Sequence, residues 1–421
     1  MKISSIAAIF SWVTLLTQPA QADVVLVPDA IFDGKSSELI TNKAVLISNG
    51  RITAIDTLEK LRGSDTKIIL LPGQTLLPGL IDLHSHVLLH PYDETSWNDQ
   101  VLKESWAERA LRAGNHLKAT LEAGYTTLRD LGSEGAGYVD VGVKQALEKG
   151  VIPGPRLVVA GKAIVATGSY GPKGFAEHVK VPLGAEPADA NDLISETRDQ
   201  IGHGADFIKV YGDYRWGPNG EAMPTFSEDE IRSIVETARS SGRYTVAHAS
   251  TPEAMRRAIM AGVETIEHGN AGTLDTFELM REKGVAWCPT LAAGEAIAQY
   301  QGWIKGEGPE PQRIVDQKKS FATALQAGVI MCAGSDVGVF DHGDNAWELE
   351  LMVEYGMKPI DVLRSATSIN AGLLHMSTEI GQVKKGMLAE LIAVKGNPLE
   401  DVKVLRQPTL VVQGEIVINR N

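Results

Sequence analysis

Short β-branched runs open the mature part of the chain. Val24-Val25-Leu26-Val27, Ala44-Val45-Leu46-Ile47-Ser48 and Arg51-Ile52-Thr53-Ala54-Ile55 each read as a strand. Asn49-Gly50 between the last two predicts a hairpin, because both residue types accept the positive φ of a tight turn. The other end has the same texture. Runs at 389–394, 409–412 and 415–418 alternate in the same way, with Gln413-Gly414 at the turn. Neither end is long enough to close a core alone. Residues 23–77 and 376–421 are therefore predicted to pair into one small β-sandwich.

Between them the period changes. Apolar runs at 80–84, 126–131, 156–160, 206–210, 244–248, 265–268, 286–289 and 329–333 read as strands. The intervening segments carry apolar residues at helical spacing, as at 227–241 and 252–261. Ser227 with Glu230 three residues on predicts a capping box. Ala-Gly steps at 123–124, 261–262 and 327–328 end helices just before a strand. Eight β/α units over residues 78–375 predict an α/β fold, a (β/α)8 TIM barrel, with the β-sandwich built from both chain ends. A doubly wound open sheet is the alternative. It loses because no Gly-rich phosphate loop follows the first strand.

The formal charge of −13 and the lack of any Arg-rich run argue against a nucleic-acid partner. Residues 1–22 read as a signal peptide: Lys2, an apolar stretch from Ile6 to Leu16, and the small-x-small pattern Ala20-Gln21-Ala22. The expected location is exported, periplasmic or secreted. The apolar stretch is too short to span a bilayer comfortably, and no later segment is long enough. Cys288 and Cys332 both sit in apolar runs. Buried free thiols are the expectation, with a disulfide left open by an oxidising compartment.

The chemistry begins at the end of the first predicted barrel strand, in Gly79-Leu80-Ile81-Asp82-Leu83-His84-Ser85-His86. Alternate strand residues share a face, so both imidazoles point one way, as metal binding requires. Lys209, His248, His268 and Asp336 each close or follow an apolar run of their own. Singly each has a plain explanation: a satisfied core histidine, or an aspartate capping a turn. A lysine inside Phe207-Ile208-Lys209-Val210-Tyr211 needs compensation for its buried charge. Together, at the C-terminal ends of barrel strands, the six converge on one site.

Leu77-Pro78-Gly79 through His86, Thr126-Thr127-Leu128-Arg129-Asp130, Ile208-Lys209-Val210, Thr265-Ile266-Glu267-His268-Gly269, Gly334-Ser335-Asp336 and Gly386-Met387-Leu388-Ala389-Glu390-Leu391 resemble the amidohydrolase superfamily, binuclear subtype. The family usually has Asp where Glu390 stands. His342-Gly343-Asp344-Asn345-Ala346 and Gly396-Asn397-Pro398-Leu399 resemble the prolidase-like metallo-dipeptidases and ochratoxin-hydrolysing amidases. The resemblance implies two divalent metal ions, zinc by default. His84, His86 and Asp336 would hold one and His248 and His268 the other, with carboxylated Lys209 as the bridge. It implies amide hydrolysis by a metal-bridging hydroxide, with Asp336 shuttling the proton to the leaving amine. The substrate would be a small N-acyl amino acid, a dipeptide or ochratoxin A. A lactonase or other ester hydrolase using the same site is the alternative.

Tyr214 is the candidate oxyanion donor, catalytic with Asp336. Tyr170, Arg215, Trp216 and His342 are candidate substrate contacts, Arg215 for a carboxylate. Arg129-Asp130 reads as a structural ion pair. Two family features are missing. Ser250 stands where a second histidine often follows His248, and Thr167-Gly168-Ser169-Tyr170-Gly171 replaces a Gly-Gly-His motif. Both departures fall on expected substrate loops and leave the metal set intact. A deaminase fits less well, because Thr251 stands where its proton-shuttling Glu belongs. A non-enzymatic scaffold predicts broken ligands, and all six are present. Residues 287–303, with 306–311 beyond, are a candidate lid. A homo-oligomer is left open.

Overall fold

The computed structural model describes residues 23–419 apart from Asp65 and Glu177. The expected signal peptide lies outside these residues. Strands from both chain ends form one eight-stranded ladder. Its order is Ile416–Asn419, Leu410–Gln413, Glu390–Lys395, Lys67–Pro78, Val24–Ile31, Ala44–Ser48, Arg51–Asp56, with Ile40–Thr41 beside Val24–Ile31. Asn49 and Gly50 take φ 49° and 69° in the predicted hairpin turn. Leu26, Val45 and Ile52 from one end pack with Leu391, Leu410 and Val412 from the other. Neither end could bury these side chains alone, which is why the sandwich needs both.

Lys67–Pro78 is the joint between the two parts. It pairs in parallel with Val24–Ile31 and antiparallel with Glu390–Lys395. Then it runs through Gly79 into the first barrel strand. A Cβ on Gly79 would lie 2.3 Å from Thr126 Oγ1, so only glycine lets these backbones approach. Glu390 braces the same joint. It accepts from Arg156 Nη2 at 2.9 Å and from the hydroxyls of Thr126 and Thr127.

The parallel barrel strands are Leu80–Ser85, Tyr125–Asp130, Arg156–Val159, Ile208–Tyr211, Thr245–Ala249, Thr265–His268 and Ala286–Cys288. Ladders join the first three and the last four. The Asp206 N–H to Val159 carbonyl bond, at 2.8 Å, links the two groups. The eighth position differs from the predicted strand at 329–333. It is an extended segment held by two isolated parallel bridges, Trp287 with Met331 and Ser85 with Val337. Asp336, between the two bridges, turns left-handed at φ 62°. The expected helices pack outside. Glu228–Arg239 carries the Ser227–Glu230 capping box, and Pro252–Ala261 has the predicted bounds.

Two expectations are corrected. Cys288 and Cys332 are not free thiols but a disulfide, with Cα atoms 4.9 Å apart. The bridge between Trp287 and Met331 sets the two cysteines side by side on neighbouring barrel segments. Arg129 does not pair with Asp130. Its Nη2 meets Glu267 at 2.9 Å, while Asp130 accepts the Val87 N–H. Consecutive strand residues face opposite sides, so the two side chains diverge. Among the described residues, no helix is long and apolar enough to cross a membrane.

Candidate active site

The six predicted metal ligands meet at the C-terminal mouth of the barrel. His84 and His86 end the first strand, and each presents Nε2 3.5 Å from Asp336 Oδ1. The ligand atoms of these three residues all lie within 4.8 Å of one another, a spacing that could hold a metal ion. Imidazole centroids then follow in a chain: His84 to His268 at 4.9 Å and His268 to His248 at 4.4 Å. Lys209, on the fourth strand, is 1% exposed.

Outer partners fix each ring. His84 Nδ1 lies 2.8 Å from Glu267 Oε2, so its N–H points at a carboxylate and Nε2 keeps its lone pair for the site. Glu267 is itself held by Arg129 and by the Thr265 hydroxyl at 2.5 Å. His86 Nδ1 faces the Gly132 carbonyl at 3.1 Å, and His268 Nδ1 faces Thr290 Oγ1 at 2.8 Å. His248 Nε2 lies 3.5 Å from Asp213, which accepts the Ser250 and Thr251 N–H groups. His268, Thr290 and Asp336 all take positive φ (72°, 51° and 62°). Such strain at three non-glycine residues concentrates at functional sites.

Electrostatics follow from burial. Burial and then Lys209 hold His84 well below the ordinary histidine range and push His248 down to about 3. Burial and then His248 do the same for His268, so these imidazoles are neutral lone-pair donors. Burial pushes Asp336 up, against the pull of Lys209, and brings the Lys209 amine down to about 8. Among the described residues, Lys209 has no carboxylate within 4.0 Å. A cluster of neutral imidazoles, a carboxylate and an unpaired buried amine is a donor set that fits metal ions.

The site opens into a cavity of about 430 Å³. Tyr170, Tyr214 and Arg215 line it, as does Ser250. Tyr214 sits on the Asp213–Arg215 arm of a hairpin, with its ring 6.2 Å from that of His248. Trp216 does not line the cavity and is 47% exposed. His342 does not line it either. It stacks on His116 at 4.1 Å and bonds the Leu89 carbonyl. The expected lid region begins with buried Trp287. Its helix Leu291–Tyr300 places Ala293, Gly294 and Ile297 on the cavity wall.

The sequence reading missed Glu134, Asp213, Glu267 and Arg313. Glu267 had a signal, a carboxylate inside the apolar run ending at His268. Arg313 had none, since it reaches the cavity from helix Gln312–Ala327, far along the chain from Arg215.

The amidohydrolase family model matches residues 75–417, and the chain belongs to that family. It is a metal-dependent hydrolase acting on C–N bonds. The chain is 30% identical to ochratoxinase of Aspergillus niger, over 93% of this chain and 85% of that protein. A solved Xaa-Pro dipeptidase with methionine bound in its active site is 30% identical. It superposes with TM-score 0.85 over 95% of this chain and 100% of its own. A prolidase complexed with N-methylphosphonate-L-proline is 29% identical, with TM-score 0.83 and the same coverage.

Proposed function

We propose that this protein cleaves the amide bond of small substrates that end in a free carboxylate, dipeptides or N-acyl amino acids. The observation that carries this reading is a pair of guanidiniums. Arg215 and Arg313 line the cavity that holds the His84, His86 and Asp336 group, and neither meets a carboxylate within 4.0 Å among the described residues. Burial and then Arg215 push the Arg313 guanidinium down, so an anion between them would relieve both costs. The relatives named as a dipeptidase, a prolidase and ochratoxinase support the same substrate chemistry.

In this reading His84, His86 and Asp336 would hold one divalent ion, and His248 and His268 a second. Lys209 would supply an anionic oxygen ligand to both once its neutral Nζ adds carbon dioxide and releases a proton to solvent. With an amine brought down to about 8, a neutral fraction is available for that addition. Zinc suits this nitrogen-rich, oxygen-bridged set. When bound, such ions supply Lewis acidity and a hydroxide nucleophile near neutral pH. Asp336 takes the nucleophile's proton and returns it to the leaving amine nitrogen. Tyr214 donates its phenol to the carbonyl oxygen as negative charge develops. Arg215 and Arg313 orient the substrate carboxylate. The setting is an exported, oxidising compartment, which the leader pattern at 1–22 and the disulfide support.

The test is hydrolysis of dipeptides, N-acyl amino acids, ochratoxin A and simple lactones by zinc-loaded protein, with C-terminally amidated analogues alongside. Amide cleavage that falls at least tenfold on amidation is expected. Lactone turnover without any amide turnover would transfer the protein to the ester hydrolases. Equal rates on amidated substrates would remove the carboxylate role of Arg215 and Arg313.

A further inference from the structure

Glu134 plays no part in the chemistry above, yet it lines the same cavity. It follows the second barrel strand, has φ 47° and is 2% exposed. Oε2 accepts from the Tyr170 phenol at 2.7 Å and the Trp97 indole at 2.9 Å. Oε1 has one long bond, from the Tyr211 phenol at 3.3 Å, and lies 4.0 Å from His86 Nδ1. His86 Nδ1 already faces the Gly132 carbonyl, so Glu134 is not its orienting partner.

Arg109 and Lys209 act on this carboxylate across space, but neither forms a direct ion pair with it. Buried Arg109 donates to three backbone carbonyls, those of Leu88, Ser133 and Glu134. Its N–H groups therefore fix the strained loop, and the direct donors to the side chain are neutral. Among the described residues, no lysine or arginine comes within 4.0 Å of the Glu134 carboxylate. A buried carboxylate with lone-pair capacity left on Oε1 calls for a cationic partner. The cavity wall thus carries a carboxylate beside His86 with no direct cationic partner, and two guanidiniums, half-buried Arg313 and solvent-exposed Arg215, with no direct carboxylate partner among the described residues. A ligand that satisfies both carries an ammonium at one end and a carboxylate at the other.

We infer that Glu134 binds the free α-ammonium of the substrate, which makes unblocked dipeptides, rather than N-acyl amino acids, the substrate class. The inference rests on the amide-hydrolase reading for its meaning but is tested by binding. Glu134 is a specificity residue in this assignment. Tyr170, Tyr211 and Trp97 hold its carboxylate in place, and Arg109 positions its backbone.

The experiment is calorimetric binding to metal-loaded protein of a non-hydrolysable hydroxyethylene dipeptide isostere and its N-acetyl form. A charge-assisted contact predicts a Kd roughly 10- to 100-fold lower for the unblocked isostere. Glu134→Gln keeps the shape and an acceptor for the phenols. It should bring the ratio close to one, chiefly by weakening the unblocked form. The wild-type ratio should also shrink as pH rises past about 8, where an α-amine loses its proton. Equal wild-type affinities, binding of neither form, or a ratio that survives Glu134→Gln would overturn the inference. The last result would leave Glu134 as a clamp for the aromatic cluster. A lactone-only result in the hydrolysis panel would instead overturn the amidase reading, and the binding ratio would still judge Glu134.

Discussion

Asp336 combines a left-handed backbone with a carboxylate 3.5 Å from two imidazoles. Asp336→Asn keeps the size and one acceptor oxygen but cannot take a proton. It is expected to retain fold and most bound metal while kcat falls by roughly 10²–10⁴-fold, checked by steady-state kinetics with metal analysis of the same sample. Wild-type turnover in that variant would end its role as proton shuttle. Lys209→Ala removes the proposed bridge and should lower kcat/KM by roughly 100-fold or more, with partial rescue by acetate or propionate. Full activity without added acid would show that no carboxylated lysine is needed. The placement of His84, His86, Lys209, His248, His268 and Asp336 at the barrel mouth was legible in the sequence, because a charged or imidazole side chain at the end of an apolar run has few structural excuses. Their partners were not, because Glu267 reaching His84 and Asp213 reaching His248 span 183 and 35 residues of chain.

At the scale of elements, the disulfide stitches the seventh strand to the irregular eighth segment, closing a span of 44 residues. The eighth segment has only two bridges of its own, so the covalent link compensates for a weak ladder just before Asp336. Cys288→Ala with Cys332→Ala is expected to lower unfolding free energy by roughly 2–4 kcal/mol, measured by denaturant melts of oxidised protein. An unchanged midpoint would mean that packing alone closes the barrel. The helices and the Asn49-Gly50 hairpin follow local rules, capping and turn chemistry, and so appear where periodicity put them, while the C-terminal turn falls on Gly414-Glu415, one residue after the expected Gln413-Gly414. The eighth strand does not: Val329-Ile330-Met331-Cys332 has β-prone residues, yet the segment makes isolated bridges at Met331 and Val337 rather than a ladder. Sequence marks the propensity, and the partner strands decide the ladder.

For the whole molecule, the buried imidazoles make metal and pH act together. Their folded-state affinities for protons are depressed, so below about 6.5 the unfolded chain binds protons that the folded chain does not. Metal-free protein should therefore lose stability as pH falls from about 6.5 towards 3, the value to which His248 is pushed. Thermal melts across that range, with and without chelator, check this. Chelation should lower the Tm at neutral pH and abolish turnover, since an ion that binds only the folded state stabilises it by mass action. A Tm of the metal-free protein that is flat with pH would mean that the histidines remain solvated. The sequence by itself determined the barrel, the sandwich of two chain ends and the six residues at the barrel mouth. Each of these is written in local periodicity and in residue type at strand ends. Only the tertiary structure decided that Cys288 meets Cys332, that Arg129 serves Glu267, and that Glu134, Arg215 and Arg313 share one cavity. Those are contacts between distant segments, and no local pattern encodes which side chains a closed barrel brings face to face.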